Sequence, residues 1–315
     1  CGHPNCACIN WCRIRIGETK MAIESVTVTV NGITYTLNYN SSSGKYEGTF
    51  TAPTTTSFGM ENNAYNCVVK ATDNAGNFDE KDGSTFSSLL LRVKEKTKPK
   101  ITTNYPSESA YVTNAKPTFT WDVTDSESGV DESTISIKFD NGSVITNGIT
   151  KNKSGNKISC SYTPNSAIGE GVHTVYYNAK DNDGNAADQK SVSFTIDTVA
   201  PNLNVSTPTD GLVTNEQTIT LVGTVSDITS GLASLTINGQ SITVSDGSFS
   251  VPYTLTQGVN VLTIVATDNA GKKTTIVRNV TLNTIAPVIQ SVTLTPNPAD
   301  VGATMIITVT VTESV

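Results

Sequence analysis

Histidine, tryptophan and methionine are scarce, with 2, 2 and 3 copies in 315 residues. His is the commonest acid–base catalyst, so two copies leave little room for that chemistry. His3 and His173 lie in unlike regions, and His173 falls in an alternating segment that makes it a strand residue rather than a base. No His-Glu-x-x-His, Gly-x-Ser-x-Gly or phosphate-cradling glycine motif is present. The expectation is a chain without enzyme activity.

Charge is sparse as well. Charged residues are 16% of the chain, against an ordinary share of about 25%, and the net charge is −7. Nucleic-acid binding needs a basic face to neutralise phosphates, and none is available. The densest positive run, Lys94-Glu95-Lys96-Thr97-Lys98-Pro99-Lys100, reads as a solvated linker. No apolar run approaches the ~18 residues of a spanning helix, so no membrane span is expected. No segment has the order of a signal peptide.

What the chain has instead is Thr, Ser, Asn, Gly and Val, the residues of strands and turns. It also repeats itself. Ala71-Thr72-Asp73-Asn74-Ala75-Gly76-Asn77, Ala179-Lys180-Asp181-Asn182-Asp183-Gly184-Asn185 and Ala266-Thr267-Asp268-Asn269-Ala270-Gly271-Lys272 each join two alternating segments. Asp-Asn-x-Gly suits a tight turn, with the Asx side chain capping it and Gly taking positive φ. Asn31-Gly32, Asn141-Gly142 and Asn238-Gly239 mark a second recurrent turn, and Asp125 to Gly129 and Asp227 to Gly231 a third. Pro99, Pro201 and Pro287 stand at the boundaries, where proline stiffens a joint before an edge strand.

Alternating segments align across the units. Tyr65, Cys67, Val69 and Ala71 match His173, Val175, Tyr177 and Ala179, then Asn260, Leu262, Ile264 and Ala266. Tyr46, Gly48 and Phe50 match Ile158, Cys160 and Tyr162, then Phe249, Val251 and Tyr253. Period-two patterning with frequent turns and no helical stretch predicts an all-β fold of tandem two-sheet sandwiches in an elongated array. The boundaries read as a Cys-rich leader at 1–20, modules at 21–97, 98–198 and 199–284, and the start of a truncated fourth at 285–315.

The Val-x-Ala-Thr-Asp-Asn-Ala-Gly-Asn turn, the Ala-Pro linkers and Asp-x-x-Ser-Gly-Val-Asp resemble tandem immunoglobulin-like repeats of bacteria and bacteriophages, over residues 21 to 315. The resemblance implies stalks, adhesins or virion appendages, without enzyme activity. Thr97-Lys98-Pro99 replaces the family's acidic residue and Ala-Pro, which weighs against the family's interdomain metal site at that boundary.

Calcium is the one cofactor the residues point to. Asp125, Glu127, Asp131 and Glu132 offer four carboxylates to a cation that takes six to eight oxygens. Asp181-Asn182-Asp183-Gly184-Asn185 with Asp188 forms a second acidic turn that lacks EF-hand spacing. The competing and favoured reading is that these Asp residues cap turns. For carbohydrate, Tyr105 and Tyr111 are the candidates, with strand packing as the favoured alternative. Cys67 and Cys160 read as buried apolar residues in different sandwiches, too far apart to bond.

Cys1, Cys6, Cys8 and Cys12, with His3, leave three chemical readings open: zinc, two disulfides, or lipidation at Cys1. A fourth takes residues 1–20 as a translated upstream leader. Gly17-Glu18 can be encoded by GGAGAA, the core of a ribosome-binding site, just before Met21. A start at Met21 favours a phage tail or virion protein, which needs no export. Its partners are then a host or cell-envelope surface, with carbohydrate as one candidate, and other virion or surface proteins. The alternatives are a bacterial cell-surface adhesin or stalk, and accessory repeats of an extracellular enzyme.

Overall fold

The computed structural model describes residues 22–312, so the leader with its cysteines, His3 and Met21 lies outside the described residues. The described chain is all-β, apart from two single 3-10 turns. The first sandwich holds β1 (Ile23–Val30), β2 (Ile33–Asn40), β3 (Lys45–Glu47), β4 (Tyr65–Asn66), β5 (Val68–Asp73), β6 (Phe78–Lys81) and β7 (Leu90–Leu91). Its sheets run β3-β2-β1-β5-β6 and β4-β7.

The second sandwich holds β8 (Lys100–Tyr105), β9 (Ala110–Val112), β10 (Phe119–Thr124), β11 (Val130–Phe139), β12 (Thr150–Ser154), β13 (Lys157–Tyr162), β14 (Gly171–Asp181) and β15 (Lys190–Ile196). Its sheets run β12-β13-β10-β8 and β11-β14-β15-β9. The third holds β16 (Asn202–Thr207), β17 (Leu212–Thr214), β18 (Thr218–Ser226), β19 (Leu232–Ile237), β20 (Gln240–Ser241), β21 (Ser248–Thr254), β22 (Gly258–Asp268) and β23 (Lys273–Leu282). Its sheets run β16-β18-β21 and β17-β23-β22-β19-β20. A hairpin of β24 (Val288–Thr295) and β25 (Ile306–Thr312) follows.

By contacts the chain divides into two compact units. One runs to Ser107 and includes Thr118–Thr163 and Thr174–Val192; the other comprises Glu108–Pro117, Pro164–His173 and Ser193 onward. In the first unit Phe119, Trp121, Val123, Ile135, Ile137, Val175 and Tyr177 are fully buried. In the second, Leu221, Leu262, Ile264, Ala266 and Val280 are. The inward residues alternate along β10, β15, β18 and β22, as half-buried antiparallel strands require.

The aligned segments largely hold, with two departures in the first sandwich. The Tyr65–Ala71 run is broken at Cys67: Tyr65 belongs to the small sheet, Val69 and Ala71 to the large one. Cys67 itself is buried, and its amide bonds to Leu89 O at 2.9 Å. The Tyr46–Phe50 run ends at Glu47, and Phe50 is exposed. Pro53 just downstream has no N–H for a ladder. In the second sandwich the Asn-Gly turn also shifts by one: Asp140 takes positive φ where Asn31 and Asn238 do in the others.

Gly223 shows how tightly β16, β18 and β21 approach. A Cβ there would lie 2.2 Å from Asn204 O and 2.4 Å from Phe249 Cζ. We expect Gly223→Ala to cost about 1–3 kcal/mol of third-sandwich stability, read as a lower urea midpoint at unchanged slope.

Candidate metal centres

Two turns meet in the first unit. After β10, Asp125 opens a loop whose Oδ1 accepts N–H bonds from Glu127 at 3.1 Å and Gly129 at 2.8 Å. Gly129 has φ +80°, which glycine adopts without strain. After β14, Asp181 opens the Asp-Asn-x-Gly turn, and its Oδ1 accepts Asn185 N–H at 2.8 Å. The intervening Asn182 bolts the loops together: its N–H and side-chain amide donate to Gly129 O at 2.9 and 3.0 Å, and the amide also to Ser128 O at 2.8 Å.

The linker supplies the third acid. Glu95 is held by Ser128 N–H donating to its Oε1 at 2.7 Å, and by its own N–H donating to Asp183 Oδ2 at 3.0 Å. Carboxylate oxygens of Glu95, Asp125 and Asp181 then lie within 4.8 Å of one another, all three residues buried. Glu95 Oε2 and Asp125 Oδ2 have no hydrogen-bond donor among the described residues. Burial holds the Glu95 carboxyl above its ordinary range; the Ser128 hydrogen bonds oppose this, and Asp125 and Glu127 add to it.

The second unit repeats the arrangement. Asp227 Oδ1 accepts N–H bonds from Thr229, Ser230 and Gly231, and Asn269 donates to Gly231 O and Ser230 O. The linker acid is Asp197, anchored by its N–H to Val112 O at 3.0 Å. Carboxylate oxygens of Asp197, Asp227 and Asp268 lie within 4.8 Å, and Asp197 Oδ2 and Asp268 Oδ2 have no donor. Asp125 follows Glu95 by 30 residues, as Asp227 follows Asp197.

Three carboxylates facing one another, all buried in the first set and all but the half-buried Asp227 in the second, with orphaned oxygens, fit a hard, oxygen-seeking cation. Neither Cys nor His belongs to either set, so the donors suit calcium better than zinc.

Of the four carboxylates named as the calcium candidate, the structure brings only Asp125 into a cluster of acids. Glu127 accepts from Thr97 Oγ1 at 2.7 Å, Asp131 caps Ser133, and Glu132 lies 3.9 Å from Lys153 Nζ. The turn-capping role is real and coexists with clustering: Asp125, Asp227 and Asp268 each spend Oδ1 on their own loop, and Asp181 takes Asn185 on both oxygens. Glu95 and Asp197 carry no expectation from the sequence, and Asp181, Asp227 and Asp268 are expected there only as turn residues. Glu95 stands four residues before Pro99, as Asp197 does before Pro201, so the first linker carries its acid despite Thr97-Lys98.

Other candidates fall away from any site. His173 Nε2 lies 3.0 Å from Gly169 O. Tyr105 and Tyr111 are exposed rather than packed. Cys67 and Cys160 are free and buried, and burial pushes the Cys160 thiol up to about 12. No described helix is long and apolar enough to cross a membrane.

Residues 94–198 match the family model "Bacterial Ig-like domain", and residues 201–284 match "Glucodextranase, domain B". The chain is built of tandem immunoglobulin-like repeats of the bacterial kind. It is 34% identical over 122 residues to Bacillopeptidase F of Bacillus subtilis (strain 168), covering 39% of this chain and 8% of that protein. It is 34% identical over 143 residues to the PI-type proteinase of Lactococcus lactis subsp. cremoris, covering 37% of this chain and 7% of that one. The chain thus spans less than a tenth of the length of these relatives.

Among solved structures, titin I-band fragment I67-I69 aligns at TM-score 0.42 and 12% identity, over 82% of this chain and 87% of that one. A tetra-tandem repeat from the extending region of a large adhesion protein aligns at 0.34 and 18%, over 93% and 82%.

Proposed function

We propose that these Ig-like repeats are non-catalytic spacer modules of a larger extracellular bacterial protein, and that calcium sets their joints. The observation that carries this is the placement of both carboxylate triads where a linker meets the next sandwich. A cation there ties the linker acid to two loops of the following module. With calcium bound, each joint is held by electrostatic contacts rather than by the linker's own stiffness.

The accessory role draws on the relatives: the matching part of two proteinases is a small piece of each, and one module resembles a domain of a glucodextranase. The virion placement expected from the leader reading finds no counterpart among them. Antibodies against residues 98–198 distinguish the placements in the native host. Label in the medium or on the cell envelope is expected; label confined to phage particles overturns the extracellular reading.

A further inference from the structure

The third boundary differs in its linker residue. Asn283-Thr284-Ile285-Ala286-Pro287 stands in register with Asp197-Thr198-Val199-Ala200-Pro201. The backbone agrees: Asp197 N–H donates to Val112 O beside the parallel pair β15–β9, and Asn283 N–H donates to Thr214 O beside the parallel pair β23–β17. The side chains make the same local bond as well. Asp197 Oδ1 accepts Val199 N–H at 3.2 Å, and Asn283 Oδ1 accepts Ile285 N–H at 3.0 Å.

The atom that differs is the second one. In Asp197 it is the buried, donor-free Oδ2 aimed into the triad. In Asn283 it is an amide nitrogen, which carries no charge and offers no lone pair to a cation. The residue thirty positions on is an acid, Glu313, as Asp125 and Asp227 are at their boundaries; it lies outside the described residues.

We infer that the joints are graded by their linker residue: the boundaries at Glu95 and Asp197 are set by a cation, while the one at Asn283 is not and stays a hinge when the other two are held. This rests on the reading of the triads as calcium sites. The first joint has a further restraint that needs no metal. Asp183 Oδ2 accepts both Glu95 N–H at 3.0 Å and Thr56 Oγ1 at 2.5 Å, tying the linker and the first sandwich to the second sandwich's turn. The third sandwich has Ala270 at that position and cannot repeat the tie. The order of stiffness is therefore first joint, second joint, third joint.

Amide hydrogen exchange on the whole chain reads all three joints at once. At calcium about 100 times its Kd, opening of a cation-held joint slows by about 100-fold relative to chelator. We expect that slowing for peptides covering 94–98 and 197–200, and exchange at 283–286 unchanged. Asp197→Asn keeps the Val199 bond and makes the second joint like the third, so 197–200 loses its calcium response and 94–98 keeps it. Equal slowing at all three joints overturns the graded joints and leaves the calcium reading intact. Retained slowing at 197–200 in Asp197→Asn overturns the role of the linker acid. No calcium response anywhere removes the calcium reading itself.

Discussion

Adding calcium to the chelated chain is expected to raise the unfolding midpoints of the second and third sandwiches by roughly 10–20 °C. Binding at about 100 times Kd contributes about 2.7 kcal/mol per site. For a module of about 100 residues, each kcal/mol moves the midpoint by about 4–8 °C. The gain is large because the metal-free state is poor: three carboxylates within 4.8 Å, two of them with an unpartnered oxygen, repel one another away from water.

The same physics fixes the sign of a mutation. Asp268→Asn keeps the Oδ1 that accepts Lys272 N–H at 2.8 Å and replaces only the orphaned Oδ2. In chelator the variant should unfold higher than the parent, because one repelling charge is gone. In calcium it should unfold lower, because a ligand is gone. Scanning calorimetry of both proteins in both buffers checks this crossing of curves. If Asp268 were only a turn cap, the substitution would be near-neutral in both.

The sandwich architecture was legible because it repeats: the Asp-Asn-x-Gly turn, the boundary prolines and the alternating apolar positions carry the same information several times over. The triads were harder to read because the fold assembles them from three separated segments. Asp125 and Asp181 are 56 residues apart, and the pairing of Val130 with Asp181 across β11 and β14, together with the Asn182 bonds, brings their loops together. The acids close to Asp125 in sequence, Glu127, Asp131 and Glu132, turn to Thr97, Ser133 and Lys153 instead. The signal that was present was the constant offset of 30 residues from linker acid to loop acid, together with the four-residue step from that acid to proline. Composition was no help in the first sandwich, where the second sheet shrinks to β4 and β7 and leaves aromatic residues such as Tyr39 and Phe50 exposed.

Trp121→Ala should be the most damaging single substitution in the second sandwich. Trp121 sits mid-strand on β10, between Thr103 of β8 and Cys160 of β13, and has no exposed surface. Its ring meets Tyr177 at 4.9 Å between centroids, so it bridges the two sheets. Removing a buried Trp costs about 3–5 kcal/mol, from lost transfer energy and the cavity left behind. A module of this size has only about 5–15 kcal/mol in total, so its midpoint should fall by roughly 15–30 °C. The third sandwich carries its own core around Leu221, Leu262 and Ile264, and its transition should stay in place. Trp121→Phe retains an aromatic contact to Tyr177 and should lose much less. A calorimetric trace in which both transitions fall together for Trp121→Ala would show that the sandwiches unfold as one body, and would count against independent modules strung on cation-set joints.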